Sequence, residues 1–236
     1  MLVGGAAAEY ADTQGGITSR LPFVLAWILG TTLVVLFLFT GSVVLPFKAI
    51  GLNVLSLGAT LGVLVWVFQD GHLKAVVGDF TVTGTVDTSM TVLIAILAFA
   101  LSMDYKVFLL SRIKEEHDAG SDTGRSVVLG LQRSGRIITA AAALLAVVFA
   151  AFVSSGVTNI KQLGLGVAFA ILLDATVVRG PLVPAFMRLF GAANWWAPRP
   201  LRAVHARFGL SEGRVRPAAL PAPRSPEQSD EAAALV

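Results

Sequence analysis

Five long apolar runs decide what this chain can fold into. They cover about residues 21–43, 49–68, 88–111, 137–158 and 162–189. Each is close to the roughly 20 residues an α-helix needs to cross a bilayer. In hydrocarbon every backbone N–H and C=O must be bonded within the chain, and a helix does this inside a single segment. Only 14% of the residues are charged and 55% are hydrophobic, with a mean hydropathy of +0.76. Soluble domains carry about 25% charged residues. The expectation is an all-α integral membrane protein with five transmembrane helices.

An odd number of spans puts the two chain ends on opposite sides, and the distribution of Lys and Arg sets the direction. One set of connections holds Arg20, Lys74 and Lys161. The opposite set holds Lys48, then Arg112, Lys114, Arg125, Arg133 and Arg136, then Arg188, Arg199, Arg202, Arg207, Arg214, Arg216 and Arg224. The C-terminus is therefore expected in the cytoplasm and the N-terminus outside, in a multi-pass protein of the cell membrane. The opening "MLVGGAAAEYADTQGGITSR" has neither the basic start nor the apolar stretch of a secretion signal. The simplest expectation is that an earlier span delivers residues 1–20, as the end of an extracytoplasmic domain.

Several chemistries are excluded. There is no cysteine, so disulfides, thiolate catalysis and Cys-based metal sites are absent. His72, His117 and His205 lie far apart between the apolar runs and read as loop residues rather than metal ligands. No basic run interleaved with aromatics suggests nucleic-acid binding, and no GxxxxGK[ST] marks an ATP site.

The segment 112–136 reads as a cytoplasmic loop with an amphipathic helix along the membrane surface. Val127, Val128 and Leu131 would lie on one side, with Arg125 and Arg133 toward water. Trp195 and Trp196 suit an interfacial belt. The cytoplasmic tail 191–236 is rich in Pro, Ala and charge from about 211 and is expected to be disordered there. Gly58 and Gly62 have a GxxxG spacing that permits close helix approach, although glycine is also simply common in membrane helices. Gly164, Gly166, Ala168 and Ala170 offer a small-residue surface for tight packing, and Pro181 and Pro184 should kink the inner end of the last span.

The third run carries Asp104, eight residues before Arg112, about 12 Å along a helix and so near the bilayer midplane. An ionised Asp there costs about 2.5–3.5 kcal/mol on insertion scales. Desolvation favours the neutral acid, which lets such a group load and release protons near physiological pH. The alternative is a packing residue satisfied by a partner. Tyr105 points about 100° away, so each residue is expected to reach a different neighbouring helix. Phe108, one turn below Asp104, would line the same face. Lys106 is expected to snorkel toward the inner surface, as is Arg179. Asp174 and Arg179 are five residues apart, about 140° around an α-helix, so they should not pair well. Asp174 needs a partner or a wet cavity, and both structural pairing and proton handling remain open for it.

The stretch "ALSMDYKVFLLSRIKEE" resembles the signature of the MMPL family, lipid exporters of the RND superfamily of proton-driven transporters. So do "GSVVLPFKAIGLNVLSLGATLGVLVWVFQDGHL", "SGRIITAAAALLAVVF", "GVTNIKQLGLGVAFAILLDATVVRGPLVPAFMRLFG" and "NWWAPRPL", in the same order and spacing. Lys106 is a departure, because the family usually has Glu beside its Asp-Tyr pair.

The resemblance implies that the five helices form the C-terminal half of an RND-type membrane domain, spans 8 to 12 of twelve. Asp104 and Tyr105 would be a proton relay meeting a second Asp-Tyr pair on span 4 of a missing N-terminal half. It also implies a secondary transporter rather than an enzyme, with protons as the coupling ion, no cofactor, and lipid or another hydrophobic molecule as substrate. The alternative is a non-transporting remnant or accessory membrane protein that associates with a full-length relative.

Overall fold

A computed structural model describes residues 5–80, 82 and 87–209. Among them there are helices and turns and no strand. Helix α1 runs Ala6–Thr40, and α2 runs Val44–Leu64 and continues as a π-helical turn, Val65–Gln69. A short α3 follows at Lys74–Val77, then α4 at Thr88–Asp118 and α5 at Thr123–Ala151. The last span is composite: α6 at Thr158–Leu173, a π-helical stretch at Asp174–Leu182, and α7 at Val183–Phe190. A 3₁₀ turn at Gly191–Trp195 leads to α8 at Arg199–Phe208. Among the described residues, five helical segments are long and apolar enough to cross a membrane: Asp12–Thr40, Val44–Gln69, Thr88–Asp118, Thr123–Ser154 and Thr158–Trp195.

Most helical segments run beyond the apolar runs. Hydropathy registers only the part that suits hydrocarbon, whereas the backbone hydrogen-bond ladder continues into polar sequence. Residues 6–20 are the opening turns of α1. The segment 112–136 differs most from expectation. It is the end of α4, a turn capped by Asp122, and the start of α5, rather than a separate helix along the surface. The Asp122 carboxylate accepts from the Gly124 N–H at 3.1 Å, and Asp87 starts α4 in the same way by accepting from the Met90 N–H at 2.8 Å. Val127 is buried between the helices, but Val128, about 100° further round, is 41% exposed. Arg133 pairs across the turn with Glu116 of α4. The tail beyond residue 209 lies outside the described residues.

Two apolar clusters hold the bundle. One gathers Leu36, Leu45, Ala49, Met103, Leu109, Ile113, Val127 and Met187. The other gathers Leu64, Phe68, Ile94, Ala142, Ala146, Val167 and Ile171. Along α2, α4 and the last span, polar residues are buried between these clusters beside Leu52, Ala98 and Val178: Asn53, Ser56 and Thr60; Ser102 and Lys106; Asp174 and Arg179. The bundle is thus two apolar ends and a polar middle layer. Of the five spans, α1 is the least enclosed: it buries Leu36 and Thr40 near its C-terminal end while Phe23 and Trp27 remain 73% and 70% exposed.

Small residues do the close packing where α6 meets its neighbours. A Cβ on Gly164 would lie 2.6 Å from the Phe149 carbonyl oxygen, and one on Gly166 would lie 2.9 Å from Ile94 Cγ2. Gly58 and Gly62 behave differently, because both face outward with no atom near a Cβ. Their spacing meets no helix among the described residues.

Asn194, fully buried in the 3₁₀ turn, ties the C-terminal end of the bundle to the start of α2. Its amide donates to the Met187 and Gly191 carbonyls, both at 2.7 Å, while its side-chain oxygen accepts from Lys48. Trp195 stacks on His117 with ring centroids 4.1 Å apart, and Trp196 is exposed. Of the three histidines, only His72 lies in a loop. His117 ends α4, and His205 sits in α8, edge-on to Phe37 of α1. The turn after α1 accepts that ring because Gly41 has φ +66° and a Cβ there would lie 2.7 Å from His205 Nε2.

Two outcomes follow from this packing. Gly164→Ala should destabilise the detergent-solubilised chain by about 1–3 kcal/mol, the usual overpacking cost, while Gly58→Ala, with open space at its Cβ, should raise its melting slightly through helix propensity. His205 is held below its ordinary pKa by burial first and by the Lys114 ammonium second, with Asp118 opposing. Docking of α8 therefore favours the neutral ring. It is strongest above the ordinary histidine value of about 6.5 and weakens as pH falls below it. Hydrogen exchange in α8, corrected for intrinsic rates, should rise on acidification, and His205→Gln should flatten that response.

Candidate functional site

The residues singled out in the third span divide between two faces of α4. Leu93, Ile96, Ala100, Asp104 and Phe108 recur every three or four residues and form one exposed stripe. Asp104 makes no hydrogen bond or ion pair among the described residues. Phe108 is 40% exposed on the same stripe and lies near the Arg112 guanidinium, 5.4 Å from its ring centroid. Tyr105 is half-buried and faces the last span, where the Arg179 guanidinium lies 5.2 Å from the centre of its ring. The pair thus points two ways, as the 100° step requires.

Lys106 does not snorkel. It is buried, with Nζ 3.0 Å from Asp174 Oδ1. The expectation took account of the length of the side chain and not of an acid on the neighbouring helix. Ser102, one turn earlier on the same face of α4, accepts from Lys106 Nζ and donates from its hydroxyl to Asp174 Oδ1 at 2.7 Å. Arg179 does not snorkel either. Its Nη2 lies 3.3 Å from Asp174 Oδ2, and both side chains are about 95% buried.

The 140° separation expected of these two residues assumed an α-helix, but both lie in the π-helical stretch Asp174–Leu182. A π turn closes i→i+5 hydrogen bonds, as the Val183 N–H does onto the Val178 carbonyl. Residues five apart then stack as residues four apart do in an α-helix. Pro181 falls inside this stretch, where its missing N–H and its ring disfavour the α pattern.

Asp174 is therefore structurally paired: one carboxylate held by two cations and a hydroxyl. The sequence reading does not single out Ser102 and sends Lys106 to the surface. Their i, i+4 spacing was the available signal, since it puts both on one face. The same holds for Asn53, Ser56 and Thr60, a polar stripe in a helix whose one charged residue is Lys48 near its start. Of these, Asn53 reaches across to α4 and donates to the Phe99 carbonyl at 3.5 Å. Lys48 is a separate case near the end of the bundle, with Nζ over the Phe190 ring at 3.4 Å from the centroid.

Removing the shared acid should be the most damaging change in this layer. Asp174→Ala strands two buried cations and is expected to cost about 3–5 kcal/mol. Ser102→Ala should cost about 1 kcal/mol. Thermal or denaturant unfolding in detergent measures both.

Comparison with known proteins gives the family. The model of the MMPL family matches residues 1–220. A putative membrane protein of Streptomyces coelicolor is 48% identical over 224 residues, covering 95% of this chain and 31% of its own length. The trehalose monomycolate exporter MmpL3 of Mycobacterium tuberculosis is 45% identical over 212 residues, covering 90% of this chain and 22% of its own length. The mycolic acid-containing lipids exporter MmpL11 of Mycolicibacterium smegmatis is 40% identical over 202 residues, covering 86% and 21%. The chain thus spans less than a third of the length of these relatives. It is a multi-pass membrane protein and belongs to the MMPL family.

Proposed function

We propose that this chain acts as the C-terminal membrane portion of a secondary transporter. The transporter exports lipids or other hydrophobic molecules and is driven by the proton-motive force. Asp104 and Tyr105 form the proton relay, and Phe108 lines the same face. The observation that carries this reading is the position of Asp104, an acid within an apolar span, turned outward and without a hydrogen bond or ion pair among the described residues. Such a group is costly in hydrocarbon unless it meets a polar partner or water. A complementary membrane half carrying its own polar groups supplies that partner. Two of the relatives carry the printed names of lipid exporters, which supports a lipid substrate.

In this reading protons enter from outside, neutralise the buried acid, and change how the two halves pack. The driving force is sufficient: each proton brings about 1.4 kcal/mol per pH unit and about 2.3 kcal/mol per 100 mV. The membrane is the cell membrane, with the basic connections and the C-terminus in the cytoplasm.

The experiment is a chimera in which this chain replaces the matching portion of a full-length exporter, assayed for proton-driven lipid export. Asp104→Asn should abolish export while leaving membrane insertion intact. Tyr105→Phe should lose most of it through the missing hydroxyl. Export at the unsubstituted rate by the Asp104→Asn chimera would reject the relay.

A further inference from the structure

The polar middle layer contains one acid and two bases. Asp174 receives Lys106 Nζ at 3.0 Å on Oδ1, Arg179 Nη2 at 3.3 Å on Oδ2, and the Ser102 hydroxyl at 2.7 Å. Arg179 reaches only Oδ2 and leaves Oδ1 without a cation. Lys106 is a second cation, brought in from a different helix and 95% buried. A proton on Asp174 would remove the counter-charge of both at once and leave two cations side by side away from water, a far costlier state than one unpaired ion.

Other charged groups do not change this balance. Tyr105, on α4, presents its ring to Arg179. Lys48, on α2, lines a cavity together with Lys106 but bonds Asn194 and the Phe186 carbonyl. Arg125, Arg133 and Arg136 of α5 are exposed. The cavity beside Asp174 is otherwise lined by Ala98, Leu101, Ala170 and Ile171, next to Ser102 and Tyr105. Asp104 has no cation comparably close, and none of the ion pairs described above includes it.

We propose that Lys106 is a positioning residue that holds Asp174 as a permanent carboxylate. Asp174 is then a fixed charge joining α4 to the last span, and Asp104 is the acid that exchanges protons. The functional weight of this assignment rests on the proton-relay reading, but the charge state of Asp174 is measurable without transport.

The test is infrared titration of the purified full chain in lipid vesicles, with its aspartates labelled with carbon-13, from about pH 8 to about pH 5. Asp174→Asn identifies the Asp174 band. Where that variant does not fold, Asp174→Glu removes the position from the label. The unsubstituted chain should show no protonated-carboxyl signal from Asp174 anywhere in this range. Lys106→Met should bring one in, and Lys106→Arg should not.

An Asp174 signal that titrates in the unsubstituted chain overturns the proposal, whether or not the variants fold. So does a folded Lys106→Met chain whose Asp174 remains fully ionised. Neither result bears on whether Asp104 drives export, which the chimera reads separately.

Discussion

One carboxylate organises the centre of this bundle. Asp174 is buried at a depth where water does not compete, so its charge must be met by the chain itself. The chain meets it three times: from its own helix through Arg179, and from α4 through Lys106 and Ser102. Apolar packing at both ends of the helices is non-directional and would tolerate small rotations. The ion cluster does not, because each donor must reach a particular oxygen. It therefore fixes the rotation of α4 about its axis. That rotation in turn puts Asp104, two residues before Lys106, on the outward stripe. The inward cation and the outward acid are two consequences of a single helical phase.

Much of this architecture was legible in the sequence. Five spans follow from hydropathy, since hydrocarbon leaves the backbone little alternative to the helix. The divergence of Asp104 and Tyr105 follows from the 100° step, and close packing at Gly164 and Gly166 from their missing side chains. The charge pairs were not legible, for two reasons. In sequence Lys106 looks like an isolated side chain with an exit to the surface, whereas its partner lies on a helix about seventy residues further along the chain. The direction of Arg179 follows from α-helical geometry only if the backbone is α-helical, and there it is π-helical. Local periodicity locates side chains only while the helix type is known. The helical ends around residues 112–136 were missed for a related reason: polarity marks where hydrocarbon stops and says nothing about where hydrogen bonding stops.

The two intramembrane acids illustrate why burial alone is a poor guide to chemistry. Asp174 is the more enclosed and also the better satisfied, with opposite charge on both oxygens. Asp104 is open to whatever covers the outward stripe of α4. A group that must change charge during a cycle benefits from an environment that can change with it. A group already locked to partners within one rigid unit does not have that freedom. This distinction links the packing of the bundle to the chemistry proposed for it.

The π-helical stretch also sets the phase of everything after it. Relative to a continuous α-helix, the wider turns carry α7, the Asn194 turn and α8 round by about the angle of one residue. At unchanged length, relaxation of this segment to α geometry would turn Met187 out of the core, Asn194 away from Lys48 and His205 away from Gly41. Losing one residue between 174 and 182 would cancel that turn, because an α-helix one residue shorter ends at the same angle as the π stretch. The wide turns thus absorb one extra residue, and the helices beyond keep their faces.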